Sequence, residues 1–186
     1  MKAWRRWGLL LLAVVAAVFL FLSSRSAGAQ DYAFMPKGGR DLLLEVLGGP
    51  NVEELGKIET TRRTEAQWRE FINTRKKTLS ERERATLAAY LAVNMPLPQS
   101  AAKQDNAAAA LPRDGRQLAW DQCQFCHSLF TSHLMQDRDA QGWRNMFMSP
   151  FHRELKMSAQ EREEFARYSA LNMPMKIEDV PSELRF

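Results

Sequence analysis

The chain of 186 residues is poor in the side chains that usually carry chemistry. Two cysteines are too few for a fold stapled by disulfides. Histidine occurs three times, at His127, His133 and His152. No carboxylate pair, nucleophile–base set or glycine-rich phosphate loop stands out, so bond-making machinery is not visible and the chain does not read as an enzyme by itself. Acidic residues are missing altogether from the first 29 positions, which hold Lys2, Arg5, Arg6 and Arg25. Without that segment the formal charge of +4 vanishes, leaving 22 basic against 22 acidic residues. A nucleic-acid partner is thereby disfavoured. No apolar run exceeds the fifteen residues Gly8–Leu22, and no stretch alternates with period two, which argues against strands. What remains is ordinary globular composition, 45% hydrophobic and 26% charged.

The first 29 residues read as an address. A short basic segment, the apolar run and Ala27-Gly28-Ala29 follow one another as n-region, h-region and cleavage signal of a signal peptide. Cleavage after Ala29 leaves Gln30 as the new N-terminus. Fifteen helical residues rise about 22 Å, short of a bilayer core of about 30 Å. Retention as an anchor is the alternative, and only then would a membrane be a partner. Either way the body is exported, to the periplasm.

The exported part repeats itself. Trp68-Arg69, Ser80-x-x-Glu83 and Tyr90-x-x-x-Asn94-Met95-Pro96 return as Trp143-Arg144, Ser158-x-x-Glu161 and Tyr168-x-x-x-Asn172-Met173-Pro174. From the serine onward the offset is 78; at the tryptophan it is 75, so the second copy carries three extra residues between them. Gly39-Arg40 and Gly115-Arg116 extend the match upstream at an offset of 76. Serine followed by glutamate three residues later is capping-box spacing, and proline closes each run. Leu87, Tyr90 and Leu91, and then Phe165, Tyr168 and Leu171, mark one face of each helix. The expectation is an all-α fold of two small helical units in tandem, residues 37–97 and 113–175. A proline- and alanine-rich linker spans 98–112, and a tail follows over 176–186. Trp68 and Trp143 read as core anchors. Met95, Met173 and Met175 read as packing residues.

Cys123-Gln124-Phe125-Cys126-His127 uses both cysteines. Cys-x-x-Cys-His is the spacing of c-type haem attachment. Residues three apart share a helix face, so two thiols there can add to two vinyl groups of one porphyrin, with His127 as proximal ligand. Other readings are a redox dithiol, a disulfide, or half a zinc site completed by His133 or His152. The first needs a βαβ setting that this sequence lacks, and zinc explains neither the leader nor the repeat.

With Trp143, Ser158-x-x-Glu161 and Tyr168-x-x-Leu171-Asn172 downstream of the motif, residues 113–175 resemble a small bacterial class I cytochrome c domain. Residues 37–96 resemble the same domain with its haem lost: Gly48-Gly49-Pro50-Asn51-Val52 stands where the cysteines would be, and the segment has neither cysteine nor histidine. The resemblance implies helices wrapped around one covalent haem c, the first and last crossing, with Leu118 and Trp120 near Tyr168 and Leu171, and Trp143 able to touch the haem edge. It also implies a sixth iron ligand in the loop before the last helix, commonly methionine. That loop offers Met146, Met148, Met157 and His152. Met148, which Ser149-Pro150 would hold in a turn, is the first choice, then His152 and Met157; methionine raises the potential and a second histidine lowers it. His133 reads as a surface residue. The implied role is a carrier of single electrons between a periplasmic dehydrogenase and an acceptor, free or as the cytochrome subunit of an oxidoreductase. A haem-based ligand sensor is the alternative.

Overall fold

The computed structural model describes residues 32–76, 78–98 and 107–186. The leader expected over 1–29 and most of the linker, 99–106, lie outside the described residues. Among the described residues there is no strand, and the protein is all-α. The first copy contributes α1 (Gly39–Val46), α2 (Val52–Glu59), α3 (Glu65–Arg75) and α4 (Glu81–Asn94). A short helix follows, α5 (Ala107–Ala110). The second copy contributes α6 (Gly115–Cys123), a π-helical turn (Phe130–Leu134), α7 (Ala140–Met146), α8 (Pro150–Arg153) and α9 (Ala159–Asn172). Two 3₁₀ turns, Ile177–Asp179 and Ser182–Leu184, complete the tail.

Local chemistry sets the long helices. Ser80 and Ser158 each accept from the backbone N–H three residues on, and Glu83 and Glu161 reach back to the cap N–H, so both capping boxes form. Each box satisfies two donors that the first helical turn would otherwise leave unpaired. Ser80→Ala should therefore cost about 1 kcal/mol, read as a small loss in denaturant midpoint with unchanged slope; an unaltered midpoint would show that the cap contributes nothing.

The copies pack as a reciprocal pair. α4 lies along α9, the most extensive helix contact of the protein, while α1 crosses α4 and α6 crosses α9. The Tyr90 hydroxyl, in the first copy, donates to the Pro112 carbonyl at the entry to the second (2.9 Å); the Tyr168 hydroxyl donates to the Pro36 carbonyl at the entry to the first (2.6 Å). The Asn94 amide donates to Glu164 Oε2 (3.3 Å) and that of Asn172 to Thr86 Oγ1 (3.1 Å). Since Glu164 and Thr86 are 78 residues apart, both bonds are one contact made twice. Contacts that exchange the partners' roles in this way relate the two repeated segments by an approximate two-fold. Met35–Phe186 accordingly forms one compact unit, and the copies share the α4–α9 face.

The two interiors differ. Gly48 and Gly49, with φ of +70° and +119°, turn the chain sharply into α2. That helix brings Leu55 and Ile58 against Leu42, Trp68, Ile72 and Leu87 in a filled apolar core. Leu97 and Leu111, at the two ends of the expected linker, belong to that core as well. In the second copy Trp143 and Phe165 occupy the repeat positions of Trp68 and Leu87, but the space they border is open.

Candidate functional site

The open space is a cavity of about 270 Å³ walled by Cys123, Cys126, His127, His133, Trp143, Met146, Phe151, His152, Leu155 and Phe165, with Gln122 and Ser132 at its margin. All three histidines and both cysteines of the chain border it.

Helix α6 delivers the Cys-x-x-Cys-His segment. Asp114 caps it and forms a box with Gln117, and its first turn is held to α9, where the Gly115 N–H donates to Glu164 Oε1 (3.0 Å). Cys123 is its last residue and is half-buried; burial pushes its thiol up to about 12, so it is a neutral S–H. Cys126 and His127 lie beyond the helix, in the turn that follows, and both are exposed. The two thiols therefore face one cavity from a helix end and a turn, not from one helix face. Both cysteines are free.

Opposite stands α8. Ser149 is its N-cap and Pro150 its first residue, a pairing that fixes a helix start because proline has no N–H to waste and a pre-set φ. The His152 N–H donates to Ser149 Oγ (3.4 Å); the same hydroxyl lies 3.0 Å from His152 Nδ1, which is also 3.2 Å from the Met146 carbonyl oxygen. The ring so held stands 6.0 Å from that of His127, centroid to centroid, with the planes at 80°.

Three expectations about side chains need correction or sharpening. Met148 does not border the cavity: its side chain is 69% exposed, because Ser149-Pro150 starts α8 instead of making a turn that folds Met148 inward. Met157 is buried in packing away from the cavity wall, and Met146 is on the wall. His133 is not a surface residue. The π-helical turn carries it inside, 1% exposed, against Trp143 (5.0 Å) and Phe165 (5.2 Å), with Nε2 2.8 Å from Ser169 Oγ. Burial drives its pKa down to about 3, so it is neutral. One sequence signal could have found it: His133 precedes Trp143 by ten residues, as the core residue Ile58 precedes Trp68.

Trp68, Trp143, Met95 and Met173 are buried, as packing residues should be, and Leu118 and Tyr168 are fully buried where α6 crosses α9. Trp143 also forms part of the cavity wall. Its indole N–H has no hydrogen-bond partner, a trait shared with Trp68 in the filled copy; the unpartnered Nδ1 of His133 has no such counterpart.

No family model, no curated protein and no solved structure matches the chain. The chemistry of the cavity therefore rests on its own residues. Among the described residues no group of three or more His, Cys, Asp or Glu gathers to hold a metal ion. What the cavity brings together is an apolar wall, two thiols and two imidazoles 6.0 Å apart, centroid to centroid. A haem fits that donor set: the macrocycle supplies four nitrogens, and the protein need add only sulfurs at the edge and one or two imidazoles along the axis.

Proposed function

We propose that this chain is an exported monohaem c-type cytochrome, carrying single electrons between a periplasmic dehydrogenase and a downstream acceptor, free or as the cytochrome subunit of an oxidoreductase. The observation that carries the reading is the convergence of Cys123, Cys126 and His127 with an aromatic and aliphatic wall on one cavity. Bound haem would supply a one-electron iron couple.

The residues divide the remaining work. Cys123 and Cys126 would hold a haem covalently, each through its sulfur. His127 would supply an imidazole nitrogen to the iron. Trp143, Phe165 and Leu155 line the cavity and would exclude water from a bound haem, lowering the local dielectric and tuning its potential. Phe151, 89% exposed, stands at the rim of the same cavity, where a redox partner would approach. The first copy has an apolar core and neither cysteine nor histidine, and its α4 packs along α9.

The test is intact mass and a reduced-minus-oxidised spectrum of the exported protein after expression with a c-type maturation apparatus. One covalent haem per chain is expected. Cys123→Ala and Cys126→Ala should each leave a single thioether, and the double variant should carry no covalent haem. A bare polypeptide mass in the wild type would end the proposal.

A further inference from the structure

We propose that His152, from α8, is the second axial ligand, so that the iron is held between two imidazoles; this rests on the haem reading above. A first-row metal sits about 2 Å from an imidazole nitrogen. Adding the distance from each nitrogen to its ring centre places two rings on opposite sides of one metal about 6 Å apart, centroid to centroid. The rings of His127 and His152 are 6.0 Å apart, and both border the cavity that Cys123 and Cys126 face.

The orientation of His152 is built. A carbonyl oxygen can only accept, so the contact of Nδ1 with the Met146 carbonyl puts the ring proton on Nδ1. Nε2 then keeps its lone pair. That is the usual arrangement of a ligating histidine, whose other nitrogen is tied to a carbonyl or carboxylate. The Ser149 hydroxyl, 3.0 Å from the same nitrogen, pins the ring from the helix cap.

Helix α8, which carries His152, is particular to this copy. After its tryptophan, α3 runs seven more residues, to Arg75, whereas α7 stops after three, at Met146. The residues released, with the three inserted in this copy, build α8 and its cap. Among the described residues, the copy without cysteines or histidines has no such helix. Of the competing donors, Met148 points to solvent and Met157 is off the cavity wall. His133 is engaged through Nε2 with Ser169 and packed between Trp143 and Phe165. Of the three methionines Met146 alone lines the cavity, and its backbone carbonyl contacts His152 Nδ1.

The experiment uses the full chain loaded with haem. Wild-type ferric protein should be low-spin and lack the far-red sulfur-to-iron charge-transfer band of methionine ligation. His152→Ala should lose the low-spin spectrum, bind carbon monoxide rapidly once reduced, and regain the low-spin spectrum on addition of imidazole. Met146→Leu, Met148→Leu and Met157→Leu should each keep the wild-type spectrum. A haem-loaded His152→Ala variant with an unaltered low-spin spectrum overturns the assignment, as does loss of that spectrum in any of the three methionine variants. Covalent haem in these proteins, read by mass, keeps the haem reading standing in both cases. A wild type without haem overturns that reading and this one together.

Discussion

Gly115→Ala should destabilise the protein by about 3 kcal/mol, the upper part of the range for forcing an extra methyl into a packed contact. For a chain of this size that is a fall in Tm of roughly 10 °C. A Cβ built on Gly115 lies 2.1 Å from Cβ of Tyr168, and one built on Gly39 lies 2.1 Å from Cβ of Tyr90. A Cβ cannot turn away by changing rotamer, so α6 must move off α9, or α1 off α4. At Gly38 an added Cβ would instead meet the buried Asp114 carboxylate that caps α6, so substitution there would disturb the cap rather than a helix crossing. Neither Gly39 nor Gly115 has a positive φ; what they supply is room. In an exposed helix the same change would stabilise, alanine being about 1 kcal/mol the better helix former, so the sign of the effect is diagnostic. Gly39→Ala should behave alike, because the two crossings are the same contact. Thermal unfolding followed by circular dichroism measures both, and a Tm equal to or above that of wild type for either would show that its helices do not meet at that point.

These crossings mark the division between what was legible in the sequence and what was not. Capping boxes at Ser80 and Ser158, helix ends before Pro96 and Pro174, and the repeat itself are local patterns, and local patterns survive reading along one dimension. Cys123, Cys126 and His127 are close in space because they are close in sequence. The reciprocal bonds of Tyr90 and Tyr168 could not be read this way, since each spans the junction between copies. Ser149-Pro150 misled for a specific reason: serine then proline suits a turn, but it equally suits the cap and first residue of a helix. Choosing the turn sends Met148 inward; the helix that forms sends Met148 out and brings His152 to the wall. His133 was misplaced because a single π-helical turn has no periodicity to display, and its environment comes from Trp143, Phe165 and Ser169, far along the chain.

Glu164→Gln should stabilise the protein increasingly as pH rises from 4.5 to 8. Glu164 is buried at the junction of the copies, accepting from the Gly115 N–H and the Asn94 amide. Burial, reinforced by the neighbouring Asp114 carboxylate, pushes its pKa up to about 8 against a partial offset from Arg167. Between 4.5, the ordinary value for glutamate, and 8, the folded chain holds a proton that the unfolded chain has released. Stability therefore falls as pH rises through that window, by about 1.4 kcal/mol per unit, and so by a few kcal/mol in all. Below 4.5 both states are protonated and the penalty vanishes; above 8 it is constant. Glutamine carries no ionisable proton, so the stability difference between variant and wild type should shift by a few kcal/mol in the variant's favour from pH 4 to pH 8, superimposed on a pH-independent offset because one of the two N–H groups that Glu164 accepts from would face an NH2. Taking the difference at each pH cancels groups common to both chains, such as Glu163, held down to about 2 by Arg144 and Arg167, which destabilises both proteins only in strong acid. Chemical denaturation across pH 4–9 reads this difference, and a difference independent of pH would sink the assignment of a buried, protonated Glu164. The other copy points the same way: at the equivalent position Thr86 makes the matching bond, to Asn172, with a group that never ionises. Glu164→Thr should accordingly flatten the pH dependence as glutamine does, which separates removal of the charge from preservation of the side chain's length.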